Sequence, residues 1–117
     1  MIYDELRYFN ADEFAPHADK MNPELLRMLD QVRHLAGVPM VITSAYRDPE
    51  HNRRVGGASN SAHLRGTAVD VGITDSVSRY LILAAAIQVG FRRIGVGNSF
   101  IHLDVDEELP PNVVWTY

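Results

Sequence analysis

From Leu25 to Ala36 the apolar residues Leu25, Met28 with Leu29, Val32, and Leu35 with Ala36 recur every three or four positions, the period of a helix with one buried stripe. Asn22 reads as its N-cap, Pro23 suits the first helical position, Met21 and Leu26 stand at the hydrophobic-staple positions, and Gly37 supplies the stop. Val38–Thr43, apolar and β-branched, predicts a short strand with Pro39 near its start. The period then vanishes: Ser44 to Gly66 is rich in Arg, Asn, Ser and Gly, with a short helix predicted near Pro49–Arg54.

Alternation returns at Thr67–Ile73, where Val69, Val71 and Ile73 share one face and Ala68, Asp70 and Gly72 the other. Asp75 caps a second helix over Ser76–Val89 that stops at Gly90. Arg92–Val96 and Phe100–Val105 read as two strands joined by a tight turn at Gly97-Asn98. After an acidic and Pro-Pro stretch the tail is expected to wrap back through Val113, Val114 and Trp115.

Composition narrows the picture. With 117 residues, 46% hydrophobic, the chain fits one domain spanning 1–117. The 11 Lys+Arg against 15 Asp+Glu, a net charge of −4, argue against a nucleic-acid partner. The longest apolar run, Tyr80–Ile87, is far short of the roughly 20 residues of a membrane-spanning helix. The start, Met1-Ile-Tyr-Asp-Glu-Leu-Arg, lacks the basic-then-apolar order of a Sec signal. A monomer is expected. Without cysteine, any transition-metal site must use His, Asp and Glu.

Of the five histidines, His17 lies in a polar segment, His34 suits the C-terminal dipole of the first helix, and His51 sits in the polar loop. His63 and His102 stand apart. In Phe100-Ile-His-Leu-Asp-Val105, alternation sends His102 and Asp104 to the face opposite Ile101 and Leu103. If this strand and the Asp70 strand share a sheet and a core, Asp70, His102 and Asp104 converge on its other face, and His63 can fold over from its loop. Two imidazoles and a carboxylate form a zinc set with an open fourth position. The same residues also read as a loop histidine, a turn-facing carboxylate and a hydrogen-bonded His–Asp pair, and spacing alone leaves both readings open.

Three motifs add to this. Ser61-Ala-His-Leu-Arg-Gly-Thr-Ala-Val-Asp70 fits Ser-x-His-x-x-Gly-x-Ala-x-Asp, Phe100-Ile-His-Leu-Asp104 fits Phe-hydrophobic-His-hydrophobic-Asp, and Ser44-Ala-Tyr-Arg47 lies upstream. From about residue 23 onward the chain resembles the zinc D-alanyl-D-alanine carboxypeptidase family, whose fold and metal site are shared with lysostaphin-type peptidases and the hedgehog domain. The resemblance implies an α+β fold, a small, mostly antiparallel sheet with helices packed on one face. It implies one Zn2+ held by His63, Asp70 and His102, with Arg47 holding substrate or steadying an oxyanion. Ser61 would support the site, and Gly66 would allow the turn before the Asp70 strand. The implied substrate is the stem peptide of bacterial peptidoglycan, cut by a carboxypeptidase or endopeptidase. Without a Sec signal, such an enzyme is expected to reach the wall after release, as a phage or prophage lysin does, or as a domain of an exported protein.

Many relatives carry an acidic general base three residues before the second histidine, where this chain has Ser99. Asp104 is the replacement candidate, as base or as the partner that orients an imidazole, with Glu50 and His51 as further candidates. The competing reading is an inactive zinc module that binds cell wall or a protein without cutting.

Overall fold

The computed structural model describes residues 1–117. Helix α1, Pro23–Ala36, starts where the Asn22 side chain accepts the Leu25 N–H at 3.1 Å and ends at Gly37, whose φ of 68° is left-handed. Helix α2, Pro49–Arg54, is capped by Asp48, and α3, Ser76–Val89, by Asp75, which accepts the Ser78 N–H at 2.7 Å. All three caps are short polar side chains one residue before the helix, satisfying backbone donors that have no intrahelical partner.

Five strands form one sheet in the order β1-β2-β4-β3-β5: Val41–Ser44, Ala68–Gly72, Arg93–Val96, Phe100–Asp104 and Val113–Thr116 for β1 to β5 in chain order. Every pairing is antiparallel except that of β5 with β3. The fold is therefore α+β. Val69, Val71, Ile94, Ile101 and Leu103 turn one face of the sheet onto Leu25, Leu29, Val32, Ile82 and Ala86 of α1 and α3, in one core cluster. Each fully buried Leu or Ile there contributes roughly 1.5–3 kcal/mol. No helix is long and apolar enough to cross a membrane.

Three local expectations are corrected. Strand β1 begins at Val41, because the sheet ladder starts with Val41 opposite Gly72 and leaves Pro39, which has no N–H to donate, outside it. The connection between β3 and β4 is Gly97-Asn98-Ser99, one residue longer than the expected Gly97-Asn98, and it is closed by the Gly97 N–H reaching the Phe100 carbonyl at 2.9 Å. The N-terminal segment, to which the hydrophobic pattern assigned no element, forms single helical turns at Ile2–Glu5, Ala11–Phe14 and Ala18–Lys20, and it sends Phe9, Phe14 and Met21 into the core.

Candidate metal centre

The face of the sheet turned away from α1 and α3 carries the site. Cross-strand register places Ser44 opposite Asp70, Asp70 opposite His102, His102 opposite Gly95, and Gly95 opposite Trp115, one row across all five strands. Strand periodicity then puts Asp104 and Phe100, two residues either side of His102, on the same face. His63 arrives from outside the sheet, on a single helical turn, Ala62–Arg65, that is capped by Ser61 accepting the His63 N–H at 3.2 Å. Gly66 closes that turn at φ 71°, and a side chain there would run into the carbonyl of Lys20.

The result is three donor atoms, one each from His63, Asp70 and His102, within 4.8 Å of one another. His63 Nε2 stands 3.3 Å and His102 Nδ1 3.0 Å from the same oxygen, Asp70 Oδ1. Each ring is fixed from behind. His63 Nδ1 meets the Ala45 carbonyl at 2.7 Å, which can only accept, so that nitrogen carries the proton. His102 Nε2 meets Asp104 Oδ2 at 2.7 Å and by the same logic carries its own. The neutral rings therefore aim two lone pairs at a carboxylate. Such a cluster is repulsive unless a cation or an added proton stands among them, and its nitrogen-oxygen donor set matches the preferences of zinc with a fourth position open.

Electrostatics agree. Burial pushes the Asp70 carboxyl up, but an added proton on His102 or His63 facing it outweighs burial and holds Asp70 well below the usual carboxylate range. Burial likewise opposes charge on His102, yet its bonds to Asp104 and Asp70 raise its affinity for a proton. The pocket is built to hold positive charge.

Arg47 flanks the cluster. Its Nε donates to Ser44 Oγ at 3.1 Å, Nη1 to Asn52 Oδ1 at 3.2 Å, and Nη2 reaches Asp70 Oδ2 at 3.4 Å. Asp104 is 1% exposed, and besides His102 it accepts from Arg93 Nε at 2.8 Å and the Asp106 N–H at 3.1 Å. Arg93 in turn lies over the Trp115 ring at 5.0 Å, and Trp115 lies 5.3 Å from the His102 ring. Asp104, Arg93, Trp115 and His102 thus form a closed circuit of contacts that fixes the imidazole.

A cavity of about 580 Å3 opens over the cluster, and Asp70 and Asp104 are its two acidic lining residues. Glu50 and His51 are exposed on α2 and do not line it. Ser99 is exposed at the turn between β3 and β4. His34 meets the Tyr8 hydroxyl at 2.6 Å and His17 packs edge-on to Tyr46, so neither joins the site. Sequence reasoning missed Arg93, Asn52 and the aromatic side of the cavity, Phe100, Trp115 and Tyr117. The available signal was the pair Gly95 and Gly97, whose missing side chains make room for the rings of Trp115 and Phe100 on one face of β3.

These features define a candidate metal site on the open face of an α+β sheet. The sequence matches the family described as Peptidase M15 over residues 3–104. The chain belongs to this zinc-dependent, D-alanyl-D-alanine carboxypeptidase-like family. Comparison with curated proteins returned no match.

Proposed function

We propose that His63, Asp70 and His102 hold one zinc ion and that the protein hydrolyses a peptide bond in bacterial cell-wall stem peptides, as a carboxypeptidase or an endopeptidase. The observation that carries this reading is the convergence of two tautomer-fixed imidazoles and a carboxylate at the floor of an open cavity. Zinc, when bound, supplies a water with a pKa near roughly 7 and polarises the scissile carbonyl.

The chain's own residues do the rest. Arg47, held by Ser44 and Asn52, presents a fixed fork of donors beside Asp70, suited to a substrate carboxylate or a developing oxyanion. Ser61 sets the turn that delivers His63. Of the two roles open to Asp104, its burial and its three bonds support the orienting one: it holds the proton on His102 Nε2 and leaves Nδ1 free.

The test is mass spectrometry of stem tetrapeptide, pentapeptide and cross-linked dimer after incubation with zinc-loaded protein and with a chelator-treated control. Zinc-dependent cleavage, with fragment masses that name the bond, is the expected result. Intact substrates in the presence of bound zinc would overturn the hydrolytic reading and leave a binding module.

A further inference from the structure

One side of the cavity comes from residues beyond the span matched to the family. Strand β5 lies at the sheet edge opposite β1, so Tyr117 just after it and Arg47 just after β1 flank the ligand-bearing strands β2 and β4 from opposite sides. The Tyr117 hydroxyl stands directly over Gly95, 2.8 Å from where a Cβ would be, and Trp115 Nε1 stands beside it at 2.7 Å from the same point. Gly95 is the register partner of His102. The Tyr117 ring is held against Phe100 at a centroid distance of 4.9 Å.

This placement fixes what the hydroxyl can do. A phenol hydroxyl can donate as well as accept, and Tyr117 lines the same cavity as His63, Asp70 and His102, where its O–H is available to an acceptor. Arg47 and Tyr117 therefore present donors from the two flanks, with the ligand cluster between them. Tyr117 is 71% exposed, so it is the ring contact with Phe100, and not burial, that holds the hydroxyl at the cavity rim.

We propose that Tyr117 is a catalytic residue that donates a hydrogen bond to the oxygen gaining negative charge as the scissile carbonyl is attacked, from the side opposite Arg47. This rests on the peptidase reading. In the reaction water forms the new C–O bond, the C–N bond breaks, and the amine leaves with a proton from that water. Tyr117 keeps its own proton throughout, acting through the hydrogen bond alone.

Tyr117→Phe keeps the ring on Phe100 and removes only the donor. With the cleaved stem peptide as substrate, kcat should fall roughly 10²-fold, the size of losing one oxyanion donor, while KM, zinc content and Tm stay near wild type. A kcat within threefold of wild type would overturn the proposal. Binding of the phosphinate analogue of alanyl-alanine, whose tetrahedral P–O− mimics the oxyanion, gives a readout independent of turnover through Trp115, the chain's single tryptophan. The zinc-loaded variant should bind it at least tenfold more weakly than wild type, and equal affinity would overturn the proposal even if wild-type protein cleaves none of the peptides. Failure of cleavage with the affinity difference intact would count against the peptidase reading only.

Discussion

Asp104→Asn separates orientation from base catalysis. In the wild-type protein one carboxylate oxygen accepts from Arg93 Nε and the Asp106 N–H, at 2.8 and 3.1 Å, and the other accepts from His102 Nε2 at 2.7 Å. An asparagine of the same shape keeps the first two bonds only if its carbonyl oxygen faces Arg93. Its NH2 group then faces His102 Nε2, which must become an acceptor, and the imidazole proton moves to Nδ1. That atom is the one aimed at Asp70 and the proposed metal position. The opposite amide orientation would set the NH2 group against two donors and forfeit two bonds in a site that water does not reach. Loss of a partner behind a metal-bound histidine costs about 10–100-fold in metal affinity, equivalent to about 1.4–2.7 kcal/mol. The assay is competition for zinc against a chromophoric chelator, with thermal unfolding of the metal-free protein measured in parallel. Asp104→Ala is the contrasting variant: it strands the Arg93 guanidinium, which is 12% exposed, and should cost about 3–5 kcal/mol of fold stability. Zinc affinity of Asp104→Asn within twofold of wild type would refute the tautomer argument. Normal affinity combined with lost turnover at saturating zinc would return Asp104 to the role of base.

Further outcomes follow from neighbouring geometry. Arg47→Ala should lower kcat/KM at least tenfold with zinc content unchanged, measured by elemental analysis; loss of zinc would mean that Arg47 holds Asp70 in place instead of binding substrate. Gly95→Ala should displace Trp115 from His102 and shift the emission of the single tryptophan, and an unchanged spectrum would contradict the close packing over Gly95. Gly66→Ala combines a left-handed backbone with a collision against the Lys20 carbonyl and should cost more than about 2 kcal/mol in denaturant unfolding. Burial pushes the Asp106 carboxyl up, but hydrogen bonds from Arg65, Thr67 and the Glu108 N–H hold it below the usual range. The stability it contributes is therefore complete above the unfolded value of about 3.9 and is lost as pH falls below it, so Asp106→Asn should be less stable at pH 7 and show a shallower acid limb in Tm against pH.

Much of this molecule was readable along the chain because its signals are local. Asn22, Pro23 and Gly37 bound α1, and Asp75 and Gly90 bound α3, since caps act within a few residues and depend on no distant contact. The alternation in β2 and β4 likewise assigned Asp70, His102 and Asp104 to the face away from the core, because a strand has only two faces. The N-terminal turns escaped notice because segments of three or four residues are too short to show a period, and they are held by Phe9, Phe14 and Met21 packing against distant helices and strands.

By itself, then, the sequence determined the elements, the two faces of the sheet and the residue types of the candidate centre. Tertiary structure alone decided which atoms meet. Strand order brought Asp70 and His102 into direct register and carried Trp115 across Gly95 to His102, and the return of β5 along the sheet edge put Tyr117 over the cavity. It also buried Asp104 and gave it three hydrogen-bond partners, where alternation had placed it only on the right face. The reason is range: caps and periodicity are set by neighbours in the chain, whereas tautomers, buried charges and cavity walls are set by residues many positions away that only the folded chain brings within hydrogen-bond distance.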